Sequence, residues 1–425
     1  MWTLFAFGGL PTWTLAPAAA AIALAAVLIR PQIPHPTSRV LDGLLLACVA
    51  CAALQLVPLP PGVRNTVSPH ALTVDRALRF DASAAGSRTL SLDPAATVRA
   101  LGIAVMLIAA FWTAREAVAR GGIRPIARTV CLAGFVVSVV AMTTHYTAPR
   151  LLYGIWSADT LRSPVYGPFV NRNHMASWLV MALPFAAGYL VARIARRGSV
   201  AAGVDALSLW IGGAVCAMFA ALVVSLSRSG AVGIAGAAVC GGLIAVGRRG
   251  SGSRRWLLAT AAVALALFAS MPISSQLLAR FDRLEQNASG GRLQIWRETL
   301  PIVRDFTLTG VGLGAYHTAM LVYQRTDRTR LFNQAHDEYL QLATEGGLLV
   351  SIPLAAAAAF LIAAIARRLR EDRSDGFWIR AGAVSGLAGV MVQSLWETGL
   401  RMPANGLLFA VLCGIAVHGR PARET

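Results

Sequence analysis

The segment FNQAHDEYLQLA, Phe332 to Ala343, sets a single histidine, His336, directly before two acids, Asp337 and Glu338. Its apolar spacing predicts an amphipathic helix, on which Leu340 falls one turn after His336 while Asp337 and Glu338 turn toward other faces. An unperturbed imidazole, with a pKa of about 6.5, can take a proton from a hydroxyl at neutral pH. Several arginines stand in unusual settings as well. Arg172 in GPFVNRNH and Arg228 in SLSRSG lie at the ends of apolar runs, where a charge is costly unless paired or used. Arg292 and Arg297 sit in or beside GGRLQIWRETLPIVRDF, whose apolar positions recur at helical spacing after a Ser-Gly-Gly start.

Guanidinium groups grip phosphate oxygens through paired N–H donors. Arginines gathered with one histidine therefore suit an anionic leaving group whose charge must be offset as it departs, and a lipid diphosphate meets that description. A hydroxyl deprotonated by the histidine would attack from the face opposite the diphosphate and invert the anomeric centre. The sequence has no DxD motif, no metal-ligand cluster, since Cys48 and Cys51 at CxxC spacing lack a second pair and flanking polar residues, and no GxxxxGK[ST] phosphate loop, so a mechanism independent of metal and nucleotide is expected. Each residue also has a plain alternative: a buried structural histidine for His336, snorkelling or a salt bridge for Arg172 and Arg228. His174, beside Arg172, is the next histidine to consider; His317, His145, His70 and His35 have less telling contexts.

The elements that must position these groups are membrane helices. Over 425 residues the chain is 56% hydrophobic and only 14% charged, with a mean hydropathy of +0.60, too little polar surface for a soluble domain. Eleven apolar runs are long enough to span: near 12–29, 40–57, 98–114, 126–145, 173–192, 207–226, 230–246, 256–271, 346–366, 378–396 and 404–418. The uncharged MWTLFAFGGL lead-in, with no positive n-region, reads as a retained segment, either interfacial or the stub of a twelfth span. All 38 basic residues are arginines, and they cluster in alternate loops, which places those loops in the cytoplasm. The net charge of +18 divides into about +13 inside and about +5 outside, and the outer share still contains 18 arginines. Nucleic acid is an unsuitable partner for basic clusters separated by apolar runs.

Three outer segments have room for chemistry: 58–97, 146–172 and 272–345. The organisation expected is N-terminal membrane helices over 1–271, a large outer loop over 272–345 carrying the catalytic segment, and C-terminal helices over 346–425. The six cysteines fall in apolar runs and read as small hydrophobes. Gly310 to Gly314, GVGLG, reads as a bend between two helices rather than a dinucleotide loop. The Asn287-Ala288-Ser289 triplet reads as a chance glycosylation pattern.

Taken in order, FVNRNH (Phe169 to His174), SRSG (Ser227 to Gly230), GRLQIWRETL (Gly291 to Leu300), GVGLGAY (Gly310 to Tyr316) and AHDEYLQLATEGGLL (Ala335 to Leu349) resemble the bacterial O-antigen ligase and polymerase superfamily. QLVPLP (Gln55 to Pro60) and LSLDPAAT (Leu90 to Thr97) add to the resemblance, which covers nearly all the chain. It implies an all-α polytopic membrane fold of the GT-C-like glycosyltransferase type, about 11–12 transmembrane helices with a large periplasmic helical loop over the site. It also implies that Arg228 and Arg292 bind undecaprenyl diphosphate and that His336 is the catalytic base. Arg172 and Arg297 are carried over as further diphosphate ligands, with His174, Asp337 and Glu338 as support. The implied activity is transfer of a preassembled glycan from an undecaprenyl-diphosphate-linked donor to an acceptor hydroxyl, at the periplasmic face of the bacterial inner membrane and without cofactor. Lipid A core as acceptor makes an O-antigen ligase, the preferred reading; a growing glycan makes a polysaccharide polymerase, and a protein side chain an oligosaccharyltransferase. A lipid-linked oligosaccharide flippase is the competing reading from another class, and it would call for charges or broken helices near mid-membrane.

Overall fold

The computed structural model describes residues 1–78, 86–156, 165–197, 205–249, 289–326 and 331–419. It is an all-α polytopic membrane protein: among the described residues there is no strand, and seven helices are long and apolar enough to cross a membrane. Those seven include Pro94–Ala119, Ile123–Thr147, Arg172–Arg196, Ala206–Val224, Arg228–Arg249 and Glu338–Glu371. Three further apolar runs form shorter helices, Arg39–Leu54, Phe377–Gln393 and Pro403–Val417. The run near 256–271 lies outside the described residues. The lead-in is not a further span: it folds as the short helix Trp2–Phe5 and two 3-10 turns before the helix Leu15–Ile29.

The chain divides into two compact units. The first comprises Met1–Gln32, Ala109–Ile273 and Ala363–Thr425. Its centre is the helix Arg172–Arg196, in which every residue from His174 to Ala182 is buried, as an all-round apolar helix must be. Small residues let its neighbours come close: a Cβ added at Gly188 would strike the Trp378 carbonyl, and one added at Gly382 the Pro184 carbonyl. At one end of this unit Arg380 donates through Nε to Asp372 Oδ2 at 2.9 Å and through Nη1 to the Ala416 carbonyl at 2.7 Å. One arginine thus satisfies carbonyls at the end of Pro403–Val417 while it is itself paired, which lets a guanidinium sit almost fully buried.

The second unit comprises Ile33–Ile108 and Ser274–Ile362. Here the first and third outer segments of the sequence fold together. Ala71 and Val74, from the helix Ala71–Leu78, are buried in one core with Ile302, Phe306, Val311, Tyr316 and Met320. Asp75 ties the surrounding loop, accepting from Arg64 Nη1 at 2.8 Å and Arg88 Nη1 at 3.0 Å.

The GVGLG stretch is indeed a bend between two helices, Ser289–Asp305 and Tyr316–Tyr323. It packs against a break in Glu338–Glu371, where Gly347 takes φ 54° and ψ −162°. The backbone groups left over there are shared out. Val311 and Gly312 N–H donate to the Thr344 and Glu345 carbonyls, each at 3.0 Å, and Leu348 N–H donates to the Thr307 carbonyl at 2.8 Å. A Cβ on Gly310 or Gly347 would collide with the other strand of backbone, so this contact requires glycine on both sides. Gln55, from QLVPLP, completes it: its amide N–H donates to the Thr309 carbonyl at 2.8 Å and the Glu345 carbonyl at 2.9 Å, and its Oε1 accepts from Leu313 N–H at 3.1 Å.

Candidate functional site

The helix expected over Phe332 to Ala343 begins only at Glu338. Asp337 is the cause, because its Oδ1 accepts from the N–H groups of Tyr339 at 2.9 Å and Leu340 at 3.0 Å and so caps the helix start. His336 lies just outside the helix with φ +52°, a left-handed conformation costing a residue with a Cβ about 1–2 kcal/mol. Leu340 therefore does not follow it by one helical turn, and Asp337 serves the backbone while Glu338 opens the first turn.

What holds His336 in that conformation is a clamp on the preceding residue. Ala335 is fully buried. Its N–H donates to Gln341 Oε1 at 2.6 Å, and its carbonyl accepts from the Trp296 indole at 2.9 Å. Gln341 is fixed in turn, its amide N–H donating to Glu345 Oε1 at 3.0 Å, while Glu345 Oε2 accepts from Gly314 N–H at 2.9 Å. A strained residue needs its surroundings to over-determine it; here a cap follows it and a residue bonded at both its N–H and its carbonyl precedes it. His336 as a residue is half-buried.

Trp296 belongs to Ser289–Asp305, the helix that also carries Arg292 and Arg297. The indole bond to Ala335 brings that helix to the residue beside His336. Arg292 is half-buried and one turn before Trp296; Arg297 is exposed.

In the first unit, Arg172 and Arg228 occupy equivalent places: each is exposed and each is the first residue of a membrane helix. The two helix starts are joined by side chains. Asn171 Oδ1 caps the first, accepting from Asn173 N–H at 2.8 Å. Ser227 Oγ accepts from Gly230 N–H at 3.1 Å at the start of the second and donates to Asn173 Oδ1 at 2.8 Å. Asn173 Nδ2 donates at 2.7 Å to Oε2 of Glu397, a carboxylate only 1% exposed. His174 is buried too, with Nε2 at 3.8 Å from Glu397 Oε1 and its carbonyl accepting from Asn405 Nδ2 at 2.9 Å. Two positive helix ends, each opening on an arginine, form a setting that favours an anion.

Among the other histidines, His317 Nε2 lies at 3.7 Å from Asp93 Oδ2, and His70 Nδ1 at 3.7 Å from Asp305 Oδ2. Asp305 also accepts from the Tyr323 hydroxyl at 2.6 Å. Burial first, and then that carboxylate, push the Tyr323 phenol well above its usual range. Tyr316, buried against Thr299 Oγ at 2.7 Å, is pushed up to about 12, chiefly by burial. Both phenols therefore remain protonated hydrogen-bonding groups at neutral pH. His145 stacks edge-on with Tyr146 and Tyr166, and His35 Nδ1 accepts from Thr37 N–H at 3.3 Å.

Of the residues singled out by the sequence, Arg172, His174 and Arg228 lie in the first unit, and Arg292, Arg297, His336, Asp337 and Glu338 in the second. Four groups escaped the sequence reading: Trp296 and Gln341, which clamp Ala335, Asn173, which joins the helix starts through Ser227, and Glu397, which holds Asn173. Glu397 had a signal, an acid at the end of the apolar run 378–396. Trp296 and Gln341 had none, since an amphipathic helix accounts for both. Residues 213–355 match the protein family described as O-antigen ligase. That stretch contains Arg228, Arg292, Arg297 and His336 and stops short of Glu397. No protein of curated function matches the chain.

Proposed function

We propose that this chain, whose match supports the O-antigen ligase and polymerase superfamily of glycosyltransferases, transfers a preassembled glycan from undecaprenyl diphosphate to an acceptor hydroxyl at the periplasmic face of the inner membrane. Lipid A core is the preferred acceptor, which makes the enzyme an O-antigen ligase. The observation that carries the reading is His336, held in a strained conformation by Asp337 on one side and the Trp296–Ala335–Gln341 clamp on the other.

In the proposed reaction His336 takes the proton of the acceptor hydroxyl. That oxygen forms a bond to the anomeric carbon as the bond from this carbon to the diphosphate oxygen breaks, with inversion. The electron pair leaves with undecaprenyl diphosphate, whose growing charge is offset by Arg228 and Arg292, with Arg172 and Arg297 as further ligands. Arginine suits the role because it keeps its charge and offers a planar fork of donors. No metal or nucleotide is required.

Purified protein in liposomes, supplied with lipid-linked glycan and lipid A core but neither nucleotide nor divalent metal, tests this. Product with inverted linkage is expected from the wild type, and none above background from His336→Ala. Equal product from that variant would remove His336 from the mechanism. Elongation of the lipid-linked glycan without transfer to lipid A core would make the enzyme a polymerase, and movement of donor across the bilayer without glycosidic product would make it a transporter.

A further inference from the structure

Glu397 is assigned no part in the reaction above, lies outside the matched stretch, and is nevertheless the most deeply placed charge beside the two helix starts, with a side chain fully shielded from solvent. A buried carboxylate is expensive unless it is bonded. Here Oε2 accepts from Asn173 Nδ2 at 2.7 Å, and Oε1 accepts from Thr398 N–H at 3.3 Å and faces His174 Nε2 at 3.8 Å. The first of these bonds leads onward. An amide whose N–H₂ is held by a carboxylate must present its oxygen the other way, and Asn173 Oδ1 meets the Ser227 hydroxyl at 2.8 Å. Ser227, its proton given to Asn173, is left to accept from Gly230 N–H at 3.1 Å. The polarity of the whole chain is thus set at its acid end: a carboxylate can only accept, so every bond from Glu397 to the SRSG turn has one direction.

We infer that Glu397 is a positioning residue for the donor diphosphate: it fixes the flip state of Asn173, which locks the starts of Arg172–Arg196 and Arg228–Arg249 together and so sets the spacing of Arg172 and Arg228. The inference rests on the proposed role of those two arginines. Its geometric part stands apart from that role. Backbone neighbours of the bonded pair are the arginines themselves, since Asn173 follows Arg172 and Ser227 precedes Arg228. A shift at the Asn173–Ser227 bond is therefore passed directly to the backbone that carries Arg172 and Arg228. Gln393 joins the same assembly weakly, its Nε2 lying 3.4 Å from both the Asn173 carbonyl and Ser229 Oγ.

The test combines transfer kinetics with amide hydrogen exchange on the reconstituted full chain. Glu397→Ala should raise the KM for the lipid-linked donor about tenfold, leave the acceptor KM unchanged and speed exchange across residues 227–231. Glu397→Gln keeps an acceptor for Asn173 and should stay within about threefold of wild type on donor KM. Asn173→Asp sets two carboxylates against each other and should be impaired; combining it with Glu397→Gln restores one donor and one acceptor and should recover both donor KM and slow exchange. A purely structural role would lower folding yield or kcat without singling out the donor, and would show no recovery in the double variant. Failure of the double variant to improve on Asn173→Asp, or unchanged exchange at 227–231 in Glu397→Ala, overturns the inference. If the wild type transfers no glycan while exchange responds as described, the positioning chain stands and the proposed function falls.

Discussion

Replacing His336 by glycine and by alanine, side by side, probes the strained backbone separately from the chemistry. Both variants lack an imidazole and should lose transfer together. Their stabilities should differ in an unusual direction. At an ordinary position glycine is the worse residue, because it gives the unfolded chain extra freedom worth about 0.4–1 kcal/mol. At φ +52° alanine retains the left-handed penalty of about 1–2 kcal/mol, which glycine does not pay. The second term is the larger, so His336→Gly should be more stable than His336→Ala by about 0.5–1 kcal/mol. Thermal melts of the two purified variants in the same detergent, alongside wild type, read the sign. The glycine variant also leaves room for added imidazole, which should restore part of the transfer if the side chain acts as a base. A glycine variant less stable than alanine would refute the account of His336 as held against its conformational preference, whatever the kinetics show.

Trp296→Phe deletes the donor to the Ala335 carbonyl and leaves a buried acceptor unsatisfied, at a cost of about 1–3 kcal/mol; kcat should fall about tenfold with donor KM little changed, measured by initial rates on the folded variant. Gln341→Ala strips partners from both Ala335 N–H and Glu345 Oε1 and should destabilise more than Trp296→Phe in the same melts. Arg228→Lys should keep more transfer than Arg228→Ala yet less than wild type, since lysine retains charge without the fork; equal rates in all three would end the diphosphate role. Asp75→Asn should cost about 3–5 kcal/mol, read by loss of detergent-solubilised monodisperse protein, because it leaves Arg64 buried without its carboxylate.

The helical class and its membrane setting were legible because they rest on local composition: ten of the eleven apolar runs are helices, each identified by length and apolarity alone. The N-terminal stretch failed as a possible span for a local reason as well, its glycines and Pro11 breaking it into turns. Phe332 to Ala343 was misread because periodicity reports which residues are apolar and not where the backbone starts to coil. Of the acids beside His336, Asp337 places its Oδ1 on the N–H groups of the helix start, a capping role that periodicity does not reveal.

The sequence by itself determined a polytopic helical membrane protein and the gathering of arginines beside a few polar segments, because charge and apolarity are properties of residues taken singly or in short runs. Tertiary structure alone decided the conformation of His336, the collision-tight contact of Gly310 with Gly347, and the bonds by which Asn173 joins two helix starts through Ser227 and meets, on its other side, Glu397. Asn173 and Glu397 stand 224 positions apart, and Gln55 reaches 254 positions to Thr309. A buried polar group must find a partner wherever the fold supplies one, and no local pattern records which distant residue that will be.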